Sequence, residues 1–374
     1  MAERVHATYR LRADPASIAA RARAIAIEQS VEMPPEAIAS AAILTRILGE
    51  VEQIEDRGGG VFDVRIGLAA ETIGTSAGQL CNMLFGNVSL LADVALVGLV
   101  LPAGVAARFP GPRGGIAGLR RRLGAAGRAL TGSALKPQGM DAAALAGLAE
   151  RLARGGIDLV KDDHGLAEQA AAPFAARVPA CAAAVRRASA ATGHPTIYAP
   201  ALAGHHGQMR AQLLLAREEG VAAALLTPMI AGPATMQALA EEFPDIVLLA
   251  HPSLGGAARI APEVLIGTLF PLFGADAVIF PTHGGRFGYS ATTCRAIAET
   301  ARTPLTGRPG ALPVPAGGMT LARVPELLDF YGPDTMLLIG GSLLAAGAAV
   351  SRAAARFAAA VARHCPRPRP DLPR

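Results

Sequence analysis

At 374 residues the chain exceeds one compact domain and leaves room for an α/β barrel of about 250 residues plus a smaller domain. Hydrophobic residues make up 51%, aromatics only 4%, and tryptophan is absent, a balance that suits helices packed on buried parallel strands and argues against a purely β architecture. The net charge of +5 comes from arginines scattered along helical segments, such as Arg120, Arg121, Arg122 and Arg128; without interleaved aromatics it suits a small phosphorylated substrate and argues against a nucleic-acid partner.

The chain starts MAERVHATYRLRADPAS, with mixed charge and no apolar h-region, and apolar runs elsewhere are broken by Gly or Pro well short of a span. A cytoplasmic protein with no membrane partner is expected. Cys81, Cys181, Cys294 and Cys365 lie far apart without metal-type spacing, so no disulfide framework is expected. The alternating VHATYRLR predicts a strand, followed by a helix over Pro15 to Ile27 and a second strand around Gly60 to Ile66. A helix through Gly78 to Phe85 and a strand near Ala95 to Val100 complete a small α+β, ferredoxin-like domain over residues 1–111. The Pro/Gly-rich PAGVAARFPGPRGG marks its junction with a second, larger domain.

Over residues 112–364 short apolar runs alternate with helical segments: TGSALKP, GIDLVKDD, PTIYAPAL, AAALLTPM, DIVLLAHPS, ADAVIFPT, ALPVPAGG and DTMLLIGGS. Eight such runs close a parallel (β/α)8 TIM barrel, so the fold class is α/β. Intervening segments such as MDAAALAGLAERLARGG carry helical periodicity and end in Gly or Pro. An open doubly wound sheet would need a Gly-rich phosphate turn after its first strand; that strand ends in LKPQGM instead, which disfavours a dinucleotide site. An Ala-rich helix runs to His364, and the Pro/Arg-rich residues 365–374 are expected to be a disordered tail.

Barrel chemistry sits at the C-terminal strand ends. There the chain offers Lys136, then Lys161, Asp163 and His164, then His251, Thr282 and His283, the pair Gly317 and Gly318, and finally Gly340, Gly341 and Ser342. Alternation sends Lys161 and Asp163 to one side, with His164 following in the loop. The spacing supports two readings equally: a divalent-cation site, if the lysine is modified into an anionic donor such as a carbamate, or a structural ion pair. The glycine pairs favour a phosphate cradle over simple tight turns. His251 suits either a base or ligand role or a satisfied structural one, and His205 and His206 are expected in an exposed loop.

The order LKPQG, GIDLVKDDHG, LPVPAGGM and LLIGGSL resembles the large subunit of RuBisCO, and more closely the RuBisCO-like proteins (form IV) that lack carboxylase activity. The resemblance extends to AIAIEQSVEMP and LFGNVSLL in the first domain, which match segments lending a glutamate and an asparagine to a neighbouring subunit. It implies that Lys136 acts on an enediolate, that Lys161 is carbamylated by CO2, and that Lys161 and Asp163 hold Mg2+, with His164 in the third ligand position. It also implies a catalytic His251, phosphate binding by Gly317, Gly318, Gly340 and Gly341 beside Ser342, and a homodimer in which Glu28 and Asn87 complete the partner's site.

Departures from the family pattern bear on function. Gln138 stands for the second lysine of K-P-K, His164 for the glutamate of K-D-D-E and Pro252 for the arginine after the strand-end histidine; the loop after the sixth barrel strand reads THGGRFGYS. These changes argue against carboxylation and for a monophosphorylated or smaller substrate, with Gln138, His283 and Arg286 as further substrate contacts. A nitrogen ligand in place of an oxygen makes Mn2+ more competitive with Mg2+. The leading expectation is metal-assisted enediolate chemistry, a decarboxylation or related reaction, on a phosphorylated keto-sugar acid such as 3-oxo-isoapionate 4-phosphate. The alternatives are a 5-methylthioribulose-1-phosphate isomerase or enolase of methionine salvage and a non-catalytic sugar-phosphate-binding or regulatory protein.

Overall fold

Two sheets of opposite character divide the chain, whose residues 3–364 are described by a computed structural model. The first is antiparallel and built from β1 (Arg4–Arg12), β2 (Glu50–Gly58), β3 (Val61–Ala69) and β4 (Ala95–Val100), in the order β2-β3-β1-β4. Alternation works as the sequence implies: Val5, Ala7, Tyr9 and Leu11 of β1 and Phe62, Val64, Ile66 and Leu68 of β3 are buried under the helices Ile18–Glu28 and Ala77–Phe85. This strand order with two crossover helices is the ferredoxin-like split βαβ arrangement.

Three local details differ from expectation. The first helix begins at Ile18 rather than Pro15, because the Asp14 carboxylate accepts from the Ala16 N–H at 2.8 Å and holds the preceding residues in a turn. The strand expected at Gly60 to Ile66 runs Val61–Ala69. Its hairpin partner β2 has no counterpart in the sequence pattern: nearly every residue of EVEQIEDRG is exposed, so this edge strand carries no inside-outside alternation.

The second sheet is parallel: β5 (Leu130–Leu135), β6 (Leu159–Asp162), β7 (Ile197–Ala199), β8 (Ala223–Leu226), β9 (Val247–Ala250), β10 (Ala277–Pro281), β11 (Leu312–Ala316) and β12 (Met336–Leu338). The ladder runs β7-β6-β5-β12-β11-β10-β9-β8. It closes where Leu202 N–H donates to Leu225 O and Leu225 N–H to Pro200 O, both at 2.8 Å. Inward residues such as Leu130, Leu159, Leu225, Leu249, Ile279 and Val314 form a core of their own, separate from the layer under the helices. Leu119 and Leu123 of the helix Gly115–Leu123 join that inner core, so this helix plugs the N-terminal mouth of the barrel.

The plug is anchored electrostatically. Asp276, just before β10, accepts from the backbone N–H groups of Arg113 and Gly114, both at 2.8 Å, where the helix begins. These N–H groups and the helix dipole offset part of the cost of burying the carboxylate, whose pKa burial still holds above its ordinary value. At the same end, Asp158 binds Arg128 through two contacts of 2.7 and 2.6 Å. With this mouth filled, the opposite one is left for chemistry. Among the described residues no helix is long and apolar enough to cross a membrane, and Cys81, Cys181 and Cys294 are free thiols. Cys365 and the expected tail at 365–374 lie outside the described residues.

Candidate active site

A cavity of about 660 Å3 opens at the C-terminal ends of the barrel strands, a size suited to a small molecule. Its polar lining contains Lys136 after β5, Lys161 in β6, Asp163 and His164 just beyond, and His251 after β9. Gly317, Gly318, Gly340, Gly341, Ser342 and Arg286 also line it. The three groups on which the enzyme reading depends, Lys136, Lys161 and Asp163, therefore share one chamber.

Their contacts are specific. Lys136 Nζ lies 2.7 Å from Asp163 Oδ1, Gln138 Nε2 donates to Asp163 Oδ2 at 3.3 Å, and His164 Nδ1 lies 3.4 Å from Asp163 Oδ1. Burial would raise the carboxyl of Asp163, but the hydrogen bonds from His164, Lys136 and Gln138 hold it well below the usual carboxylate range. Lys161 is 3% exposed and donates to its neighbour's carbonyl, Asp162 O, at 2.9 Å. Burial pushes its ammonium down to about 8. The expected Lys161–Asp163 ion pair is thus taken by Lys136, which leaves Lys161 without a direct carboxylate partner among the described residues.

Asp162, between them in sequence, points the other way. Its side chain is fully buried, accepting from Arg177 Nε at 2.9 Å, Tyr198 Oη at 2.8 Å and Ala201 N at 3.0 Å. This network fixes the end of β6 and so the direction of the groups on either side. His164 and His251 stack face to face, their ring centres 4.2 Å apart and planes 14° from parallel. Burial, with Lys161 and His164 adding to it, lowers the His251 imidazolium to about 2, so this ring is neutral at any ordinary pH.

On the far side, Gly317 and Gly318 adopt φ of 83° and 82°, values that glycine tolerates best. The loop after β10 is tied to them by Arg286 N–H donating to Gly317 O at 3.3 Å. Phe287, Tyr289, Met319, Ile279 and Phe280 give the cavity an apolar wall. Sequence reasoning does not single out these residues, nor Ser253; only the position of Ser253 two places after His251 hints at it.

Other expected site residues are placed elsewhere. His283 does not line the cavity; its ring packs 4.3 Å from Phe330, centre to centre, with Nδ1 4.0 Å from Glu326. Gln138 reaches the site through Asp163 alone. Glu28 and Asn87 are joined to each other, Asn87 Nδ2 donating to Glu28 Oε1 at 2.9 Å, and neither lines the cavity of its own chain. His205 and His206 are exposed, as expected, although His205 also caps the helix His206–Glu218.

Among the described residues no three His, Cys, Asp or Glu side chains gather into a metal-binding group. The donors in the three expected ligand positions are the carboxylate of Asp163, the imidazole of His164 and the amine of Lys161, and a protonated amine repels a cation. The set fits a divalent ion only if that amine gains anionic oxygens. Its burial and lowered affinity for a proton suit that change.

Residues 115–270 match the model of the ribulose bisphosphate carboxylase large chain, catalytic domain. The chain is 55% identical to ribulose bisphosphate carboxylase-like protein 1 of Rhodopseudomonas palustris over 97% of its own length and 99% of that relative. It is 54% identical to the 5-methylthioribulose-1-phosphate isomerase of Rhodospirillum rubrum, over 97% of each. The crystal structure of a Rubisco-like protein from Rhodopseudomonas palustris superposes with a TM-score of 0.91 at 49% identity, covering 98% of this chain and 100% of that one. With the two-domain fold, this similarity makes the chain a member of the RuBisCO large-chain superfamily, in its RuBisCO-like branch.

Proposed function

We propose that the protein is an isomerase of a ketose monophosphate of the 5-methylthioribulose 1-phosphate type, moving the carbonyl along the carbon chain through an enediolate. The observation that carries this reading is the Lys136–Asp163 pair beside the buried Lys161 in one cavity. Isomerisation has better support than the decarboxylation that the sequence puts first, because the Rhodospirillum rubrum relative is named for it. The apolar wall of Phe287, Met319 and Tyr289 also suits an alkylthio tail better than a second phosphate.

In this reading the phosphate rests against Gly317, Gly318, Gly340 and Gly341, near Arg286 and Ser342. Lys136 carries the proton from one carbon of the enediolate to the other, and Asp163 orients its amine. Lys161 as its carbamate, with Asp163 and His164, would hold Mg2+ or Mn2+, which when bound supplies a positive charge for the enediolate oxygens. The Glu28–Asn87 pair, next to the highly exposed Leu90, would complete the site of a second copy in a homodimer.

The test is incubation with 5-methylthioribulose 1-phosphate in D2O with Mg2+ and bicarbonate, followed by proton and phosphorus NMR. Deuterium should enter next to the ketone and a new phosphorylated isomer should appear. No exchange and no product would overturn the reading. CO2 release from 3-oxo-isoapionate 4-phosphate would restore the decarboxylase instead.

A further inference from the structure

Where the family pattern has an arginine after the strand-end histidine, this chain has Pro252 and then Ser253. The change does more than delete a charge. Proline restricts the residue before it to extended backbone, and a tight turn comes next: Gly255 N–H donates to Pro252 O at 2.9 Å, with Leu254 in the left-handed region at φ 66°. A non-glycine residue held there costs on the order of 1 kcal/mol, so the turn is imposed by its surroundings.

The turn brings Ser253 back onto the His251 ring. Ser253 Oγ lies 2.9 Å from His251 Nδ1, and the Ser253 backbone N–H donates to the same nitrogen at 3.3 Å. A backbone amide nitrogen can only donate, so Nδ1 must present a lone pair. The hydroxyl then donates to it as well. A neutral imidazole whose Nδ1 accepts carries its proton on Nε2. Nε2 has no hydrogen-bond partner among the described residues and is not among the buried orphaned atoms, while the ring lines the cavity.

We propose that Ser253 is a positioning residue that locks His251 in the Nε2–H tautomer, so that His251 donates a hydrogen bond to the substrate carbonyl oxygen and cannot act as the base. The last part rests on the isomerase reading. A neutral imidazole in this role polarises the carbonyl and holds the enediolate oxygen that replaces it. The Nε2 proton is shared with that oxygen and stays on nitrogen; the proton of the neighbouring hydroxyl passes directly to that oxygen across the enediolate, and the carbon-bound proton travels through Lys136. His164 stacks on the face of His251 and restricts the rotation of its ring.

The tautomer is read without substrate, from long-range proton–nitrogen NMR spectra of the full protein labelled with 15N-histidine, with His251 assigned through His251→Gln. A pyridine-type Nδ1 and a pyrrole-type Nε2 are expected. Ser253→Ala should shift the ring towards a tautomer mixture, and Ser253→Thr should restore it. A pyrrole-type Nδ1 in the unaltered protein would overturn the proposal whether or not any ketose phosphate turns over, so this failure is distinct from failure of the isomerase reading. With 5-methylthioribulose 1-phosphate, Ser253→Ala should lower kcat roughly five- to tenfold with KM within about twofold, recovered by Ser253→Thr. His251→Gln, which keeps an N–H donor but offers no basic nitrogen, should retain about tenfold more kcat than His251→Ala. Equal loss in the Gln and Ala variants would overturn the donor role, and an unchanged tautomer and kcat in Ser253→Ala would overturn the role of Ser253.

Discussion

Lys136 reaches from the end of β5 to the end of β6 and places its Nζ 2.7 Å from Asp163 Oδ1. This contact settles which lysine has the acid as its direct partner. Replacing Lys136 with Met should lower kcat by about 10²–10⁴-fold, the usual contribution of a positioned proton carrier. Lys136→Arg should not rescue, since a guanidinium keeps its proton. The side chain is 38% exposed, so thermal unfolding should move little. Solvent deuterium exchange into substrate is the measurement, and exchange at the unaltered rate in Lys136→Met would remove Lys136 from the mechanism.

Lys161 is free to react in a way that Lys136 is not. Its only hydrogen bond among the described residues is to the Asp162 backbone oxygen, and burial brings its pKa down to about 8. The neutral amine, which is the form that adds CO2, therefore grows as pH rises through 8, well below the range of an ordinary lysine. Incubation with 13C-bicarbonate and Mg2+ should give a carbamate carbon signal that strengthens from pH 7 to pH 9 and vanishes in Lys161→Met. A signal unaffected by that substitution would assign the carbamate elsewhere.

Much of this arrangement is legible in the sequence because barrel strands are buried on both faces. Runs such as LVKD in β6 and VLLA in β9 are wholly buried, so the point where each turns polar marks the strand end and the site. The pairing inside the site is less legible. Spacing puts Lys161 beside Asp163, but the partner Lys136 comes from a neighbouring strand through a contact that depends on strand register. His283 shows the same limit: its position at a strand end suits a substrate contact, yet the aromatic pair Phe330 and Tyr331 from a distant helix draws the ring away. The apolar wall lies partly in loops, where no periodicity marks it, and β2 is hidden by exposure on both faces.

The second glycine after β11 tests the loop that forms the apolar wall. Gly318 sits at φ 82°, and a Cβ there would come 2.9 Å from Arg286 N and 3.0 Å from Gly285 Cα. Gly318→Ala must therefore displace the backbone carrying Arg286 and Phe287, at a cost of about 1–3 kcal/mol. The expected outcome is a KM raised at least about tenfold, with the protein still folded by circular dichroism. A KM unchanged by this variant would separate the loop from substrate binding.

If Glu28 and Asn87 serve a second copy, the defect in Asn87→Ala and that in Lys136→Ala lie on different chains of each site. Each variant alone should be nearly inactive. Mixed and refolded together, or co-expressed, they form heterodimers in which one of the two sites has both its Asn87 and its Lys136. Activity should then reappear. A mixture as inactive as its parts, with heterodimers demonstrated by mass spectrometry, would show that Asn87 acts within its own chain or not at all.

The closed end of the barrel makes a prediction about acid stability that is independent of the reaction. The side chain of Asp158 is 0% exposed and is held by Arg128 at 2.6 Å, with Thr131 N–H donating at 2.8 Å and His194 Nε2 3.3 Å away. Burial alone would raise its pKa, but the hydrogen bonds from Arg128 and the Thr131 N–H, with the His194 ring close by, win and bring it down to about 2 from 3.8. The folded state therefore binds this proton more weakly than the unfolded chain does. The resulting stabilisation, about 2–3 kcal/mol, is complete above about pH 4 and is lost as pH falls towards 2. Asp158→Asn removes the charge but keeps the shape, so it should be less stable than the unaltered protein at pH 7. The gap should narrow between pH 4 and pH 2, because every other carboxylate is common to both proteins. Denaturant unfolding followed by circular dichroism at several pH values measures the gap, and a gap that stays constant down to pH 2 would show that the Arg128–Asp158 pair contributes nothing through its charge.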